Sequence, residues 1–177
     1  MKNILFFLLL VAALFQACTA DIPTCENCTF TCVKSTYSGI LTNVCLNNWE
    51  CEFNVIPQSE VDLEETEGLG SGEKIVFQMV NSTIGDPQII DDEYTDVLVF
   101  ELKSDQNSFS VEDDELKSMN VHFRKICYCV ENQFKPVIVG CIQGEKQSDG
   151  SWRIQSNLTI PYSHGNQSVL VDALFSN

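Results

Sequence analysis

Apolar and polar residues alternate with a period of two along most of this chain, whereas the i, i+3, i+4 spacing of a surface helix is rare. Because successive side chains of a strand point to opposite faces, the alternation predicts strands that are buried on one face. Eight candidate strands are flanked by Gly, Asn, Asp, Pro or Ser: residues 39–45, 51–56, 74–80, 96–102, 119–130, 135–142, 151–160 and 168–175. Short strands joined by such turns predict an all-β antiparallel sandwich.

Residues 1–20 have the pattern of a secretory signal peptide. Lys2 precedes an apolar run from Ile4 to Phe15, which is too short to cross about 30 Å of hydrocarbon as a helix. Small residues at positions 18 and 20 suit a cut before Asp21; the alternative is a bacterial lipoprotein cut before Cys18, but Phe15 stands where that signal has Leu. We therefore expect a secreted, extracellular protein that does not insert into a membrane.

The expected mature chain divides into two parts. Residues 21–36 form a Cys-rich N-terminal extension, and residues 37–177 form the β-sandwich domain. Within that domain, residues 58–73 are acidic and Gly-rich with no periodicity, which predicts an exposed loop.

The cysteine count predicts disulfides. Cleavage after residue 20 removes Cys18 of the nine and leaves an even number, which in an oxidising compartment implies four bridges with 105 possible connectivities. A zinc knot is the alternative for the C-x2-C-x3-C run at the start, but it lacks the paired C-x2-C unit or His that such sites use. We expect bridges among Cys25, Cys28, Cys32, Cys45, Cys51, Cys127, Cys129 and Cys141, and no metal.

Four Asn-x-Ser/Thr sequons predict N-glycosylation, at Asn27, Asn81, Asn157 and Asn166. The sequon at Asn157 also passes a structural criterion. On a strand, Trp152, Ile154 and Leu158 would share one face and Asn157 would lie on the opposite face, where a glycan could extend into water.

Residues 64–73 read Glu-Glu-Thr-Glu-Gly-Leu-Gly-Ser-Gly-Glu and resemble glycosaminoglycan attachment sites of the chondroitin type. Glycines on both sides of Ser71 would give a transferase access to an extended peptide, and the carboxylates suit a basic groove. The alternative is a flexible acidic loop that is never modified.

Charge and motif content argue against several other functions. With 10 basic and 25 acidic residues the net charge is −15, so no nucleic acid is expected as a partner. The chain contains no H-E-x-x-H or G-x-S-x-G motif and no phosphate-binding Gly loop, and His122 and His164 are placed as solvated side chains. The acidic clusters at 91–93 and 112–115 are interpreted as solvated turns rather than calcium ligands. We therefore expect no catalytic residues, no enzyme and no cofactor.

The C-terminal half resembles the transthyretin-like secreted proteins typical of nematodes. Residues 136–139, Pro-Val-Ile-Val, lead into Cys141, and a polar turn at 144–150 is followed by a strand that ends at Pro161-Tyr162. A Gly turn at 165 and a last strand at 169–175 complete the similarity, and residues 39–45, Gly-Ile-Leu-Thr-Asn-Val-Cys, are similar to that family's first strand. The resemblance implies a transthyretin-like sandwich and a bridge between Cys45 and Cys141.

This chain also departs from that family. The middle strands are spaced differently, and the Cys-rich start, residues 127–129 and the acidic segment are additions. The related hydroxyisourate hydrolase ends in Tyr-Arg-Gly-Ser, whereas this chain ends Phe-Ser-Asn, so that activity is not implied. An immunoglobulin-like sandwich is the structural alternative.

These features together lead to one functional expectation and two alternatives. We expect a secreted glycoprotein that acts as a binding or signalling module for an extracellular protein or a small hydrophobic ligand. The first alternative is a small proteoglycan core with a sugar chain on Ser71, and the second is a divergent secreted hydrolase.

Overall fold

The computed structural model describes residues 49–85, 93–127, 131–163 and 165–177. The Cys-rich extension and the strand expected at 39–45 lie outside the described residues. The described residues form nine strands: β1 (Trp49–Val61), β2 (Leu69–Thr83), β3 (Thr95–Lys103), β4 (Ser108–Glu112), β5 (His122–Ile126), β6 (Lys135–Pro136), β7 (Gly140–Lys146), β8 (Trp152–Tyr162) and β9 (Gly165–Phe175). One short 3₁₀ helix (Asp113–Met119) follows β4. No helix in these ranges is long and apolar enough to cross a membrane.

The strands form two antiparallel sheets, which confirms the all-β antiparallel prediction. The five-stranded sheet has the order β1-β2-β3-β5-β6, and the four-stranded sheet has the order β4-β7-β8-β9. Every ladder between neighbouring strands is antiparallel.

Aromatic residues from both sheets pack together in the core. Phe77 on β2 stacks on Phe100 on β3 with ring centroids 4.9 Å apart, and its edge meets Trp152 on β8 at 5.1 Å and Phe175 on β9 at 6.1 Å. All four side chains are fully or almost fully buried. Because alternate residues of each strand point inward, the two-residue period in the sequence becomes one shared apolar core between the sheets.

The prediction of a loop over residues 58–73 is wrong, because the loop in the structure is much shorter. β1 continues to Val61 and β2 begins at Leu69, so only residues 62–68 connect them. Ser59 pairs with Ser71 and Val61 with Leu69, across a register shift next to Gln58, whose φ is +55°. The reason is that the pairing of a hairpin can continue beyond the neighbouring strand, and polar side chains such as Ser71 are tolerated where one face of that extension is exposed.

Residues 135–142 form two short strands rather than the single one expected. The N–H of Val137 donates to the carbonyl of Val121 beside the five-stranded sheet, and the carbonyl of Val139 accepts from Thr159 in the four-stranded sheet. The chain therefore crosses between sheets here, and Gly140 turns it with a φ of +115°. The sequence did not predict this crossing, because an apolar residue buried between two sheets cannot be distinguished by sequence from an apolar residue buried within a strand.

The expected strand at 119–130 is also shorter in the structure. β5 spans only His122–Ile126, and Met119 belongs to the 3₁₀ helix. That helix and β4 were not expected from the sequence. The acidic cluster 112–115 begins the helix, and acidic residues in a first turn interact favourably with the helix dipole.

One edge of the five-stranded sheet is covered by the residue that follows β9. The N–H of Val55 donates to the carbonyl of Ser176 at 2.8 Å, and the N–H of Ser176 donates to the carbonyl of Phe53 at 3.1 Å. β1 is thus hydrogen-bonded on both sides at its centre, and the two sheets are joined along this edge.

Candidate functional site

The β1–β2 hairpin folds back over the outer face of the five-stranded sheet. Its turn (residues 62–68, the hairpin turn) is held by side chains that alternate with core residues and therefore point outward. Gln78 on β2 donates its amide to the carbonyl of Glu67 at 3.0 Å, and Arg124 on β5 donates to the carbonyl of Thr66 at 3.0 Å. The carboxylate of Glu101 on β3 accepts from the N–H of Val61 at 3.0 Å. Three adjacent strands thus fix the hairpin in place.

Arg124 also holds a second segment against the hairpin turn. Its Nε donates to the carbonyl of Asn132 at 2.6 Å, and its guanidinium lies 5.4 Å from the centre of the Phe134 ring. That ring packs against Gly68, where a Cβ would be only 2.7 Å from the ring carbon Cζ. Gly68 also has a φ of +75°, so both space and backbone conformation require glycine at this position.

A cleft of about 540 Å³ lies between the hairpin turn and the sheet. Its apolar lining includes Leu69, Val80, Val97 and Ile126, and Glu52 and Glu67 are among its polar lining residues. The volume falls in the range of about 300–1,000 Å³ that is usual for small-molecule sites, which combine apolar walls with a few polar groups. This cleft is the candidate functional site.

The sequence reasoning missed the cleft, although one signal for it was present. Residues 97–100 read Val-Leu-Val-Phe without a polar residue, and such a run is typical of a strand that is covered on both faces. Val97 and Val99 point outward, away from Leu98 and Phe100, yet they are 2% and 0% exposed. The sequence predicts only an ordinary half-buried strand here, because nothing in it places the hairpin over residues 97–100.

A second polar feature lies inside one end of the sandwich. Cys51, Asn81, Asp96 and Lys125 occupy facing positions on four neighbouring strands, on the same face as the core residues. Lys125 Nζ lies 2.8 Å from Asp96 Oδ1 and 4.0 Å from the centre of the Tyr94 ring. Burial raises the pKa of Asp96 above its usual value, and the hydrogen bond and charge of Lys125 act in the opposite direction. Burial is the larger contribution, and Lys125 offsets part of the cost of placing a carboxylate in this largely buried position.

Tyr162 and Lys135 form a further cluster near Asp96. Lys135 pairs with Glu131 and lies 4.3 Å from the centre of the Tyr162 ring. Hydrogen bonds from Lys135 and Ser163 lower the pKa of Glu131 to about 2. Burial, with the charges of Asp96 and Glu131, raises the pKa of Tyr162 to about 12, so the phenol is protonated at neutral pH and is a poor base or nucleophile.

The described sequons differ in the direction of their side chains. Asn81 points into the sandwich: its amide nitrogen lies 3.5 Å from the sulfur of core residue Met79, and its Oδ1 is buried without a partner among the described residues. Asn157 lies on the outer face of β8, half-buried between Cys141 and Leu170 on the flanking strands. Asn166 is exposed at the start of β9.

The other predicted residues do not converge on one site. Ser71 is exposed on β2 opposite Ser59, and His122 is half-buried on β5 with Nδ1 3.0 Å from the carbonyl of Asn120. Cys51 lies on β1, Cys127 just after β5 and Cys141 on β7. The described parts of the chain contain no group of three or more His, Cys, Asp or Glu that could hold a metal. Predicted residues outside the described ranges are Cys25, Cys28, Cys32, Cys45, Cys129, Asn27 and His164.

Comparison with known proteins finds no matching family model, no matching curated protein and no matching solved structure. The function of this chain is therefore inferred from its own sequence and geometry.

The side-chain directions predict which sequons are glycosylated in the folded, secreted protein. We expect glycans on Asn166 and Asn157 and none on Asn81, because a glycan on an inward-facing side chain would have to enter the sandwich. Peptide mass spectrometry of protein from animal cells, after enzymatic removal of N-glycans in heavy-oxygen water, measures occupancy at each position. High occupancy at Asn81 in correctly folded protein would contradict the inward placement.

The buried ion pair predicts a large difference between two lysine substitutions. Lys125→Met leaves the Asp96 carboxylate buried without its cation and should lower the free energy of unfolding by about 2–3 kcal/mol at pH 7. The matched control is Lys117→Met, which breaks the solvent-exposed pair with Asp114 and should have little or no effect on the free energy of unfolding. Urea unfolding of the three proteins measures both effects.

The pH dependence of the Lys125→Met effect follows from the same geometry. Without Lys125, burial still acts on Asp96 and only the hydrogen bond of Gln167 opposes it, so the pKa of Asp96 in the folded state stays above its unfolded value. The cost of the substitution is then absent where Asp96 is protonated in both states, grows as the pH rises above the unfolded-state pKa, and is complete above the folded-state pKa. We expect a smaller destabilisation at about pH 4 than at pH 7; an equal effect at both values would rule out the ion pair as its source.

Proposed function

We propose that this protein is a secreted extracellular binding module whose cleft holds a small hydrophobic ligand. The observation that carries the proposal is the cleft of about 540 Å³, whose lining combines apolar side chains with polar ones beneath a fixed hairpin turn. An open sheet face would offer only a flat surface, whereas the folded-back hairpin makes it concave. Concavity allows a small molecule to bury most of its own surface.

The way the hairpin turn is held supports a preformed site. Hydrogen bonds from Gln78 and Arg124 reach backbone carbonyls of the turn, so they constrain its position whatever its side chains are. A site that is already shaped before binding loses less conformational entropy when the ligand enters. The cleft therefore requires little rearrangement of the sheet or the turn.

Features of the sequence and of the cysteines support secretion. The N-terminal segment has the signal-peptide pattern, and cleavage after residue 20 would leave an even number of cysteines, which is typical of a protein from an oxidising compartment. Under this proposal the eight mature cysteines form four bridges. The Cys45–Cys141 pairing and a relation to transthyretin-like secreted proteins are implied only by the sequence resemblance.

Blocking the cleft tests the proposal. Val80 is half-buried on the outer face of β2, between Glu52 and Val97 on the neighbouring strands, so Val80→Trp should fill the cleft without entering the core. We expect the wild type to bind a neutral fluorescent apolar probe, N-phenyl-1-naphthylamine, at one saturable site. Val80→Trp should weaken that binding by about tenfold or more, because the new side chain occupies the space of the ligand.

The control for this test is Leu174→Trp. Leu174 is exposed on the outer face of the four-stranded sheet and does not line the cleft. It should leave probe affinity unchanged, and circular dichroism should give the same strand signal for all three proteins. Absence of saturable probe binding, or equal binding by wild type and Val80→Trp, would contradict the proposed site.

The exposure of Ser71 favours a second candidate function, a small proteoglycan core. Ser71 pairs with Ser59 of β1, whereas the β2–β3 ladder begins only at Lys74. Its hydroxyl is therefore exposed on a hairpin extension, between Gly70 and Gly72, with Glu60 and Glu73 beside it. A strand extension is less adaptable than the flexible loop expected from the sequence, but it leaves the side chain open to a transferase.

Substitution of Ser71 tests this second function. Protein secreted from animal cells should run as a polydisperse species that chondroitin lyase reduces to a single band, and Ser71→Ala should give that single band without lyase. Ser59→Ala, on the facing strand, is the matched control and should remain polydisperse. A sharp, lyase-insensitive mass for the wild type would exclude a sugar chain on Ser71.

A further inference from the structure

We infer that the ligand of the cleft is a small amphipathic amine, with its apolar body on the sheet and its ammonium group beside Glu52 and Glu67. This inference rests on the proposed function and adds the chemical class of the ligand. The two carboxylates line the same cleft from different elements, Glu52 from β1 and Glu67 from the hairpin turn. An apolar surface bordered by anions is complementary to a molecule with an apolar body and one positive charge.

Neither carboxylate is neutralised within the described parts of the chain. The ion pairs there engage other acids, as in Lys74–Glu101, Lys125–Asp96 and Lys135–Glu131, and none of them includes Glu52 or Glu67. Both residues are exposed at the border of the cleft. Their charges are therefore available to a ligand.

Among the described residues, the lining of the cleft includes no lysine, arginine or histidine. A basic group beside the cleft is Arg124, which pairs with the lining residue Val97 across the β3–β5 ladder. Its guanidinium is directed to the carbonyls of Thr66 and Asn132 and lies over Phe134, so it serves to hold the hairpin turn. In this described lining, a negatively charged ligand would thus meet two glutamates and no basic residue.

Two of the uncharged polar side chains of the cleft already donate to acceptors of the protein. Asn54 donates its side-chain amide to Gln78 Oε1 at 3.4 Å, and Gln78 donates to the carbonyl of Glu67 at 3.0 Å. The carboxylates of Glu52 and Glu67 are acceptors only. A primary ammonium carries three donors and no acceptor, which matches these two carboxylates.

Three naphthalene compounds that differ mainly in charge test the inference: 2-(1-naphthyl)ethylamine, 2-(1-naphthyl)ethanol and 1-naphthylacetate. Isothermal titration calorimetry measures their affinities for the full secreted protein at low and high salt. We expect the amine to bind about tenfold more tightly than the alcohol at low salt and the acetate to bind most weakly, with the differences shrinking at about 1 M salt as charges are screened.

Charge-neutralising variants show which carboxylates cause the preference for the amine over the alcohol. The double substitution Glu52→Gln with Glu67→Gln should reduce the affinity of the amine to that of the alcohol and leave the affinity of the alcohol unchanged. The matched control is Glu60→Gln with Glu73→Gln, which removes the same charge from exposed positions outside the cleft lining and should leave the amine affinity unchanged.

The outcomes separate this inference from the proposed function. If amine, alcohol and acetate bind alike, or if the Glu60/Glu73 pair has the same effect as the Glu52/Glu67 pair, the amine inference is overturned and the apolar cleft stands. If none of the three compounds binds and the neutral fluorescent probe also fails to bind, the cleft is not a ligand site and both are overturned.

Discussion

The packing of Phe77 between the two sheets is the interaction on which the rest of this structure depends. Its ring contacts Phe100 on the neighbouring strand β3 and aromatic residues on three strands of the other sheet, β4, β8 and β9. Phe77 therefore joins β2 to both sheets. Because inward positions are filled by apolar side chains, the outward positions of the same strands are left to build a second surface. On β2 these outward positions include Gln78 and Val80, one of which holds the hairpin turn while the other lines the cleft.

The interior of the sandwich is not uniformly apolar, and its polar residues include the asparagine of a predicted glycosylation sequon. Toward one end, the inward positions change from Met79 and Leu98 to Asn81 and Asp96. Lys125 compensates the charge, but the amide oxygen of Asn81 has no partner among the described residues. A sequon that looks like a surface signal in the sequence therefore lies on an interior face. The alternation that places Asn157 on the outer face does not place Asn81, because apolar residues precede Asn81 on both faces of β2; the register of the ladder decides its direction.

The strands that follow strict alternation were predictable, as at residues 152–160, where every second side chain is buried in the core as expected. Residues whose burial depends on a distant segment were not predictable. Val97 and Val99 are covered on the outer face, and Val137 is buried where the chain crosses between sheets. The cleft belongs to this second group, because it exists only when residues 62–68 return to side chains on β2 and β5. These contacts join residues that are far apart in the sequence, so no local periodicity predicts them.

The backbone pairing of Ser176 with Phe53 and Val55 has a consequence for the behaviour of the protein in concentrated solution. A sheet that ends in an open strand is a template for another copy of the same chain, and such edge-to-edge growth leads to aggregation. Here the central N–H and C=O groups of β1 are already occupied by the chain's own backbone. Ser176 thus acts as a cap against self-association, and Ser176→Pro, which has no N–H to donate, would reopen part of that edge.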